Sequence, residues 1–128
     1  MKIHGIGLDI VNIHRIKKAI IKNKLFKEKI FSYNEIFFCE KKKDKYSCFA
    51  KRFAAKEAFS KALGTGISKG INFKDIEVNK DKMGKPFFII KDKSLNIVNK
   101  ILKKKKFIVF LSITDDKPYA LASVTITI

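Results

Sequence analysis

The chain has 128 residues, 46% of them hydrophobic, and a formal net charge of +17. That length holds one domain with a real core but not two, and that hydrophobic share excludes a disordered chain. No apolar run is long enough to span a bilayer, and Asp9 stands where a signal peptide would need its apolar core, so the cytoplasm is the expected compartment.

The positive charge suits partners that carry phosphate or carboxylate: nucleic acid, a phosphorylated cofactor or an acidic protein. Codon bias is the competing explanation, because Lys, Ile, Asn and Phe crowd the chain while Arg15 and Arg52 are its only arginines. Cys39 and Cys48 have no metal-ligand spacing and are too few for a disulfide framework, which predicts two reduced thiols.

Lys2 to Val11 predicts a buried strand, with Gly5 and Gly7 permitting close backbone approach. Asp9 lies at its far end, and a carboxylate in apolar surroundings is costly without a partner. Asn12 is the better-placed cap for the next helix, which leaves Asp9 available for another role. Asn12 to Lys24 predicts an amphipathic helix with Ile13, Ile16, Ala19 and Ile20 as its stripe and Arg15, Lys18 and Lys22 on its other side. That basic side is either solvated surface or a docking face for an acidic protein.

Phe26 to Phe31 is a short apolar element. Ser32 and Glu35 form a capping box that predicts a helix to about Lys41. The charged break over residues 41–45 is a solvated connector, or its lysines meet a cofactor phosphate. The longest helix then runs to Leu63 and stops at Gly64. It is Ala-rich, with Phe49, Phe53, Ala54, Phe59, Ala62 and Leu63 spread around its circumference, so it is expected to be largely buried. Glu57 is its only acid between Phe49 and Leu63, and Lys61 lies one turn further on the same face. Gly64-Thr65-Gly66 suits a helix cap or a loop around phosphate oxygens.

Beyond a loop over residues 67–74, strands are predicted at Asp75 to Asn79 and Lys85 to Lys91, joined by the turn Asp81-Lys82-Met83-Gly84. A helix follows from Ser94 to Leu102, then a basic turn at Lys103 to Lys106. The last hairpin is Phe107 to Thr114 and Tyr119 to Ile128. The order of elements predicts a single α+β domain over residues 1–128, with a largely antiparallel sheet packed against the long central helix.

Asp9 and Glu57 are the two acids expected in apolar surroundings. If the helix packs beside the first strand, the two carboxylates meet and need a cation or a shared proton. Mg²⁺ takes one or two carboxylates plus substrate phosphates. Lys61 and the Gly64-Thr65-Gly66 turn then serve the phosphate, which makes this a phosphoryl-chemistry site.

The same residues carry a resemblance. Gly5-Ile6-Gly7-Leu8-Asp9-Ile10-Val11 with Arg15-Ile16, and Arg52-Phe53-Ala54-Ala55-Lys56-Glu57-Ala58-Phe59-Ser60-Lys61-Ala62-Leu63-Gly64-Thr65-Gly66-Ile67, resemble the two signatures of bacterial holo-[acyl-carrier-protein] synthases, small 4′-phosphopantetheinyl transferases. The match continues through Gly84-Lys85-Pro86, Leu111-Ser112-Ile113-Thr114 and Tyr119-Ala120. The resemblance implies transfer of 4′-phosphopantetheine from coenzyme A to a serine of apo-acyl carrier protein, releasing adenosine 3′,5′-bisphosphate. It implies Mg²⁺ on Asp9 and Glu57, with Lys61 at the phosphates. It places Arg52, Lys61, Gly64, Thr65, Gly66 and Ser112 at coenzyme A, and Arg15, Lys18 and Lys22 on the carrier protein. It also implies a homotrimer with sites between subunits.

One position departs from the family. Phe110 stands where many members have a histidine, which leaves Glu57 or a metal-held water as the base. The rival readings are a degenerate homologue that binds coenzyme A without turnover, and a basic nucleic-acid-binding module. Against the second, no zinc-finger or RRM signature is present and the basic residues are spread over the whole chain.

Overall fold

The computed structural model describes residues 1–64 and 70–128, with Asp92 described by its backbone alone. The chain opens with strand β1 (Ile3–Asn12), followed by helices α1 (Ile13–Lys22), α2 (Lys24–Ile30), α3 (Tyr33–Glu40) and α4 (Lys45–Leu63). A 3-10 turn at Phe73–Asp75 leads to the hairpin β2 (Ile76–Lys80) and β3 (Pro86–Ile90). Helix α5 (Asp92–Leu102) and the strands β4 (Ile108–Asp116) and β5 (Tyr119–Thr127) complete the fold.

All described strand pairs are antiparallel, as expected, but they form two sheets rather than one. One sheet has the order β1-β5-β4 and the other is the β2-β3 hairpin. The α+β class therefore stands, and the single sheet does not.

Helix α4 is the centre of the packing. It lies against β1, β4, β5, α1 and α3, and Phe49, Ala54, Ala58, Phe59 and Leu63 are all buried along it. The Asp44 side chain accepts from the Ser47 N–H at its start, and Gly64 closes it in the left-handed conformation at φ 89°. A side chain there would be strained, which is why glycine ends the helix.

Strand β1 meets α4 backbone to backbone. A Cβ on Gly5 would overlap the carbonyl of Ala62, and one on Gly7 would overlap the carbonyl of Ala58. The glycines thus set the separation of strand and helix, as their sequence predicts. Only this face of β1 is covered, however. Ile6, Leu8 and Ile10 point the other way and are exposed, which corrects the expectation of a buried strand. Apolar residues on both faces predict burial, but among the described residues of one chain no element lies against the outer face.

The local signals on the helices are well realised. Asn12 caps α1 by accepting from the Arg15 N–H, and Ile16 and Ile20 are the buried part of its stripe. Ser32 and Glu35 make the reciprocal capping box of α3. Glu35 is buried and has a second use: its carboxylate pairs with the Lys56 ammonium at 2.7 Å and accepts from the Val78 N–H at 2.9 Å. Lys56, fully buried, also donates to the carbonyls of Phe73 and Ile76, each at 2.7 Å. One ion pair thereby ties α3 and α4 to the 3-10 turn and β2, with its donors and acceptors satisfied as burial requires.

Cys39 and Cys48 are joined in a disulfide, which corrects the expectation of two free thiols. The turn over residues 41–44 reverses the chain between α3 and α4 and brings the two Cα atoms to 5.5 Å, a separation a disulfide spans. Sequence spacing does not reveal this, because it depends on how the two helices pack.

Candidate active site

Residues 5, 7 and 9 share one face of β1. The contacts of Gly5 with Ala62 and of Gly7 with Ala58 therefore bring Asp9 against the next stretch of α4. Lys61 Nζ reaches across to Asp9 Oδ1 at 3.1 Å and to the Leu8 carbonyl at 2.9 Å. Glu57, half-buried one turn earlier on the helix, completes the group. Its carboxyl is held above the ordinary value first by burial and then by the negative charge of Asp9, while Lys61 and Arg15 act in the opposite direction. Two carboxylates and two cations from β1, α1 and α4 thus share one surface.

The arrangement fits a hard divalent cation. Carboxylate oxygens are its preferred donors, and an ion between Asp9 and Glu57 relieves the repulsion that raises Glu57. Among the described residues, no group of three or more His, Cys, Asp or Glu side chains is placed to hold a metal, so an ion here would have Asp9 and Glu57 as its carboxylate ligands. In the ion-free site the elevated pKa makes Glu57 a stronger proton acceptor than an ordinary carboxylate.

A second feature lies at the other end of α4. A cavity of about 360 Å³ is lined by Lys42, Lys43, Lys51, Arg52 and Lys80. Of the acids at its wall, Asp44 pairs with Lys117 at 2.6 Å and Asp115 with Lys51 at 3.5 Å. Burial, followed by the charges of Lys51, Arg52 and Lys42, holds the Lys80 ammonium below its ordinary value. Arg52 is buried, packs over the Phe38 ring at 4.5 Å and donates from Nη1 to Cys48 Sγ at 3.2 Å. So many cations around one hollow suit an anionic ligand.

The structure therefore brings together Asp9, Glu57 and Lys61, with Arg15 beside them. It does not bring Arg52 there, since neither Glu57 nor Lys61 lines the Arg52 cavity. Gly64 ends the helix just beyond Lys61, whereas Thr65 and Gly66 lie outside the described residues. Ser112 sits on the outer face of the sheet, opposite Ser123 and in line with Leu8, away from α4. Lys18 and Lys22 are exposed on α1 beside Arg15, as expected of that face. The sequence reading missed Lys51 and Lys80 at the cavity, and His4, whose Nε2 lies 3.2 Å from the Leu63 carbonyl. No spacing rule finds these, because each depends on how β1, β2 or α3 docks on α4.

Comparison with known proteins gives concordant results. The family model described as the 4′-phosphopantetheinyl transferase superfamily matches residues 5–122. The holo-[acyl-carrier-protein] synthase of Pelagibacter ubique is 52% identical over 124 residues, covering 97% of this chain and 96% of that one. Among solved structures, the holo-(acyl-carrier-protein) synthase from Bacillus anthracis in complex with CoA (3′,5′-ADP) is 40% identical with a TM-score of 0.79, covering 98% and 97% of the two chains. The holo-[acyl-carrier-protein] synthase from Neisseria meningitidis is 35% identical with a TM-score of 0.85, covering 98% of each.

Proposed function

This chain belongs to the 4′-phosphopantetheinyl transferase superfamily, and we propose that it is a holo-[acyl-carrier-protein] synthase, a single transferase domain over residues 1–128. It moves 4′-phosphopantetheine from coenzyme A to a serine hydroxyl of apo-acyl carrier protein and releases adenosine 3′,5′-bisphosphate. The convergence of Asp9, Glu57 and Lys61 carries the reading. The cytoplasm, which holds coenzyme A and the carrier protein, is the compartment this reading assigns.

A Mg²⁺ ion held by Asp9 and Glu57 would neutralise the pyrophosphate and the charge that develops on it. Lys61, whose side chain is 55% exposed, is free to exchange its contact with Asp9 for a phosphate oxygen. The Glu57 carboxylate accepts the proton from the serine Oγ as that oxygen attacks phosphorus. No histidine is needed: Phe110, at the family's histidine position, is on the outer sheet face with Ile6 and Thr125. Arg15, Lys18 and Lys22 present positive charge to an acidic carrier protein, which speeds encounter.

The outer face of the β1-β5-β4 sheet supports the homotrimer. Ile6, Leu8, Ile10, Ile108 and Phe110 are exposed there in adjacent rows. Such a patch marks an interaction surface, and copies of the chain are its occupant in this reading. Sedimentation of wild type and Leu8→Asp tests this: wild type should run as a trimer and the variant as a smaller species, whereas a monomeric wild type refutes it.

The function itself is tested by mass spectrometry of apo-acyl carrier protein after incubation with this protein, coenzyme A and Mg²⁺. One added phosphopantetheinyl group, lost with EDTA, is the expected result. Bound coenzyme A with no transfer would identify a degenerate homologue.

A further inference from the structure

The cation-lined cavity contains a group that the transfer reaction does not use. Cys48 forms part of its wall, while Cys39, its disulfide partner, is fully buried behind it. Of the two cysteines, only Cys48 lines the hollow, and its sulfur receives the Arg52 Nη1 hydrogen bond, at 3.2 Å. We propose that Cys48 is a thiol-modification site that exchanges with small anionic disulfides, and that Cys39 is its resolving partner.

The chemistry follows from the surroundings. In the reduced chain, a guanidinium against Cys48 and lysines around it favour the thiolate, which is the nucleophile in thiol–disulfide exchange. Positive charge at Lys42, Lys43, Lys51 and Lys80 draws a disulfide that carries carboxylates or phosphates. The Cys48 thiolate attacks one sulfur of R–S–S–R, forming a mixed disulfide and releasing R–S⁻. The Cys39 thiol then loses its proton and attacks the Cys48 sulfur. The second R–S⁻ leaves and the Cys39–Cys48 bond remains. One disulfide is reduced, two thiols are oxidised, and the two protons lost from the cysteines go to the two released thiolates. A small dithiol reverses the sequence.

The bond has a structural consequence. It closes the ring over residues 39–48, which contains Lys42, Lys43, Asp44 and Ser47, all in the cavity wall. Oxidation therefore holds two of the cavity's lysines in place. Reduction frees the turn that carries them and sets a thiolate against Arg52, cancelling one positive charge. Both effects weaken anion binding in the reduced form. A link to catalysis rests on the expectation, implied by the family resemblance, that Arg52 serves coenzyme A.

The test begins with protein reduced by dithiothreitol and freed of it. Equal concentrations of glutathione disulfide, which is anionic, or hydroxyethyl disulfide, which is neutral, are added and adducts are followed by mass spectrometry. Wild type should pass to the internal disulfide, Cys39→Ser should stop at a mixed disulfide on Cys48, and Cys48→Ser should form no adduct. The anionic reagent should lead at low salt and lose its lead at high salt. Reaction of Cys48→Ser at the wild-type rate, or a neutral reagent equally fast at low salt, overturns the proposal. Iodoacetamide labelling of reduced wild type gives an answer without variants: Cys48 should alkylate before Cys39, and the opposite order refutes it. The KM for coenzyme A should be several-fold higher for reduced than for oxidised protein with kcat unchanged, and equal values remove the coupling. The thiol measurements need no transfer activity, so failure of the transferase reading is seen separately.

Discussion

Lys61 Nζ lies 3.1 Å from Asp9 Oδ1, a contact that joins residues 52 apart in sequence and fixes the charge balance around Glu57. Burial and Asp9 raise the Glu57 pKa, and Lys61 lowers it. Carboxyl NMR titration of metal-free protein should therefore show Glu57 falling in Asp9→Asn, though not to the ordinary value, because burial remains. In Lys61→Met it should rise above wild type. A Glu57 pKa unchanged in both variants would mean the groups are not coupled.

The approach of β1 to α4 is equally specific. Gly7→Ala drives a methyl into the carbonyl of Ala58, where neither backbone has room to yield. A loss of about 1–3 kcal/mol in urea unfolding is expected from such overpacking. Gly84→Ala is the control: no atom lies within contact of its added methyl, so the cost comes only from the positive φ of 84°. It should be about 1–2 kcal/mol and should leave transfer intact, while Gly7→Ala displaces Asp9 and reduces it.

The buried Lys56–Glu35 pair makes a third case. Lys56→Met leaves the Glu35 carboxylate buried without its counter-charge and should cost about 3–5 kcal/mol. The double variant Lys56→Met with Glu35→Gln should recover part of that loss, since the uncompensated charge is gone. A double variant no better than the single would show that the pair's hydrogen bonds to Phe73 and Ile76, rather than its charge, hold the hairpin.

Much of this was readable from local patterns. The Asn12 and Ser32 caps, the Gly64 stop and the Gly84 turn are decided within a few residues, and each stands where its sequence predicts. The glycines of β1 announced a close approach, and Asp9 and Glu57 declared themselves as acids among apolar neighbours. What could not be read depends on contacts between elements. The second sheet, the exposure of Ile6 and Leu8, and the Cys39–Cys48 bond follow from how helices and hairpin pack. The cluster of Lys42, Lys51 and Lys80 likewise exists only once α4 meets β2 and the turn before it.

Arg15 lies where the two proposed surfaces meet, exposed on α1 and close enough to influence Glu57. Arg15→Glu should raise the KM for the carrier protein much more than that for coenzyme A, and more strongly at low salt. Equal effects on both substrates would assign Arg15 to the phosphates instead.

The most direct test of the central claim is transfer by Glu57→Ala, measured as phosphopantetheinyl mass gained by the carrier protein with saturating coenzyme A and Mg²⁺. Circular dichroism and coenzyme A binding are checked on the same sample. The account predicts a folded protein that binds coenzyme A and transfers nothing. Transfer at the wild-type rate would contradict it, because the Asp9–Glu57 pair would then not be the site of the chemistry.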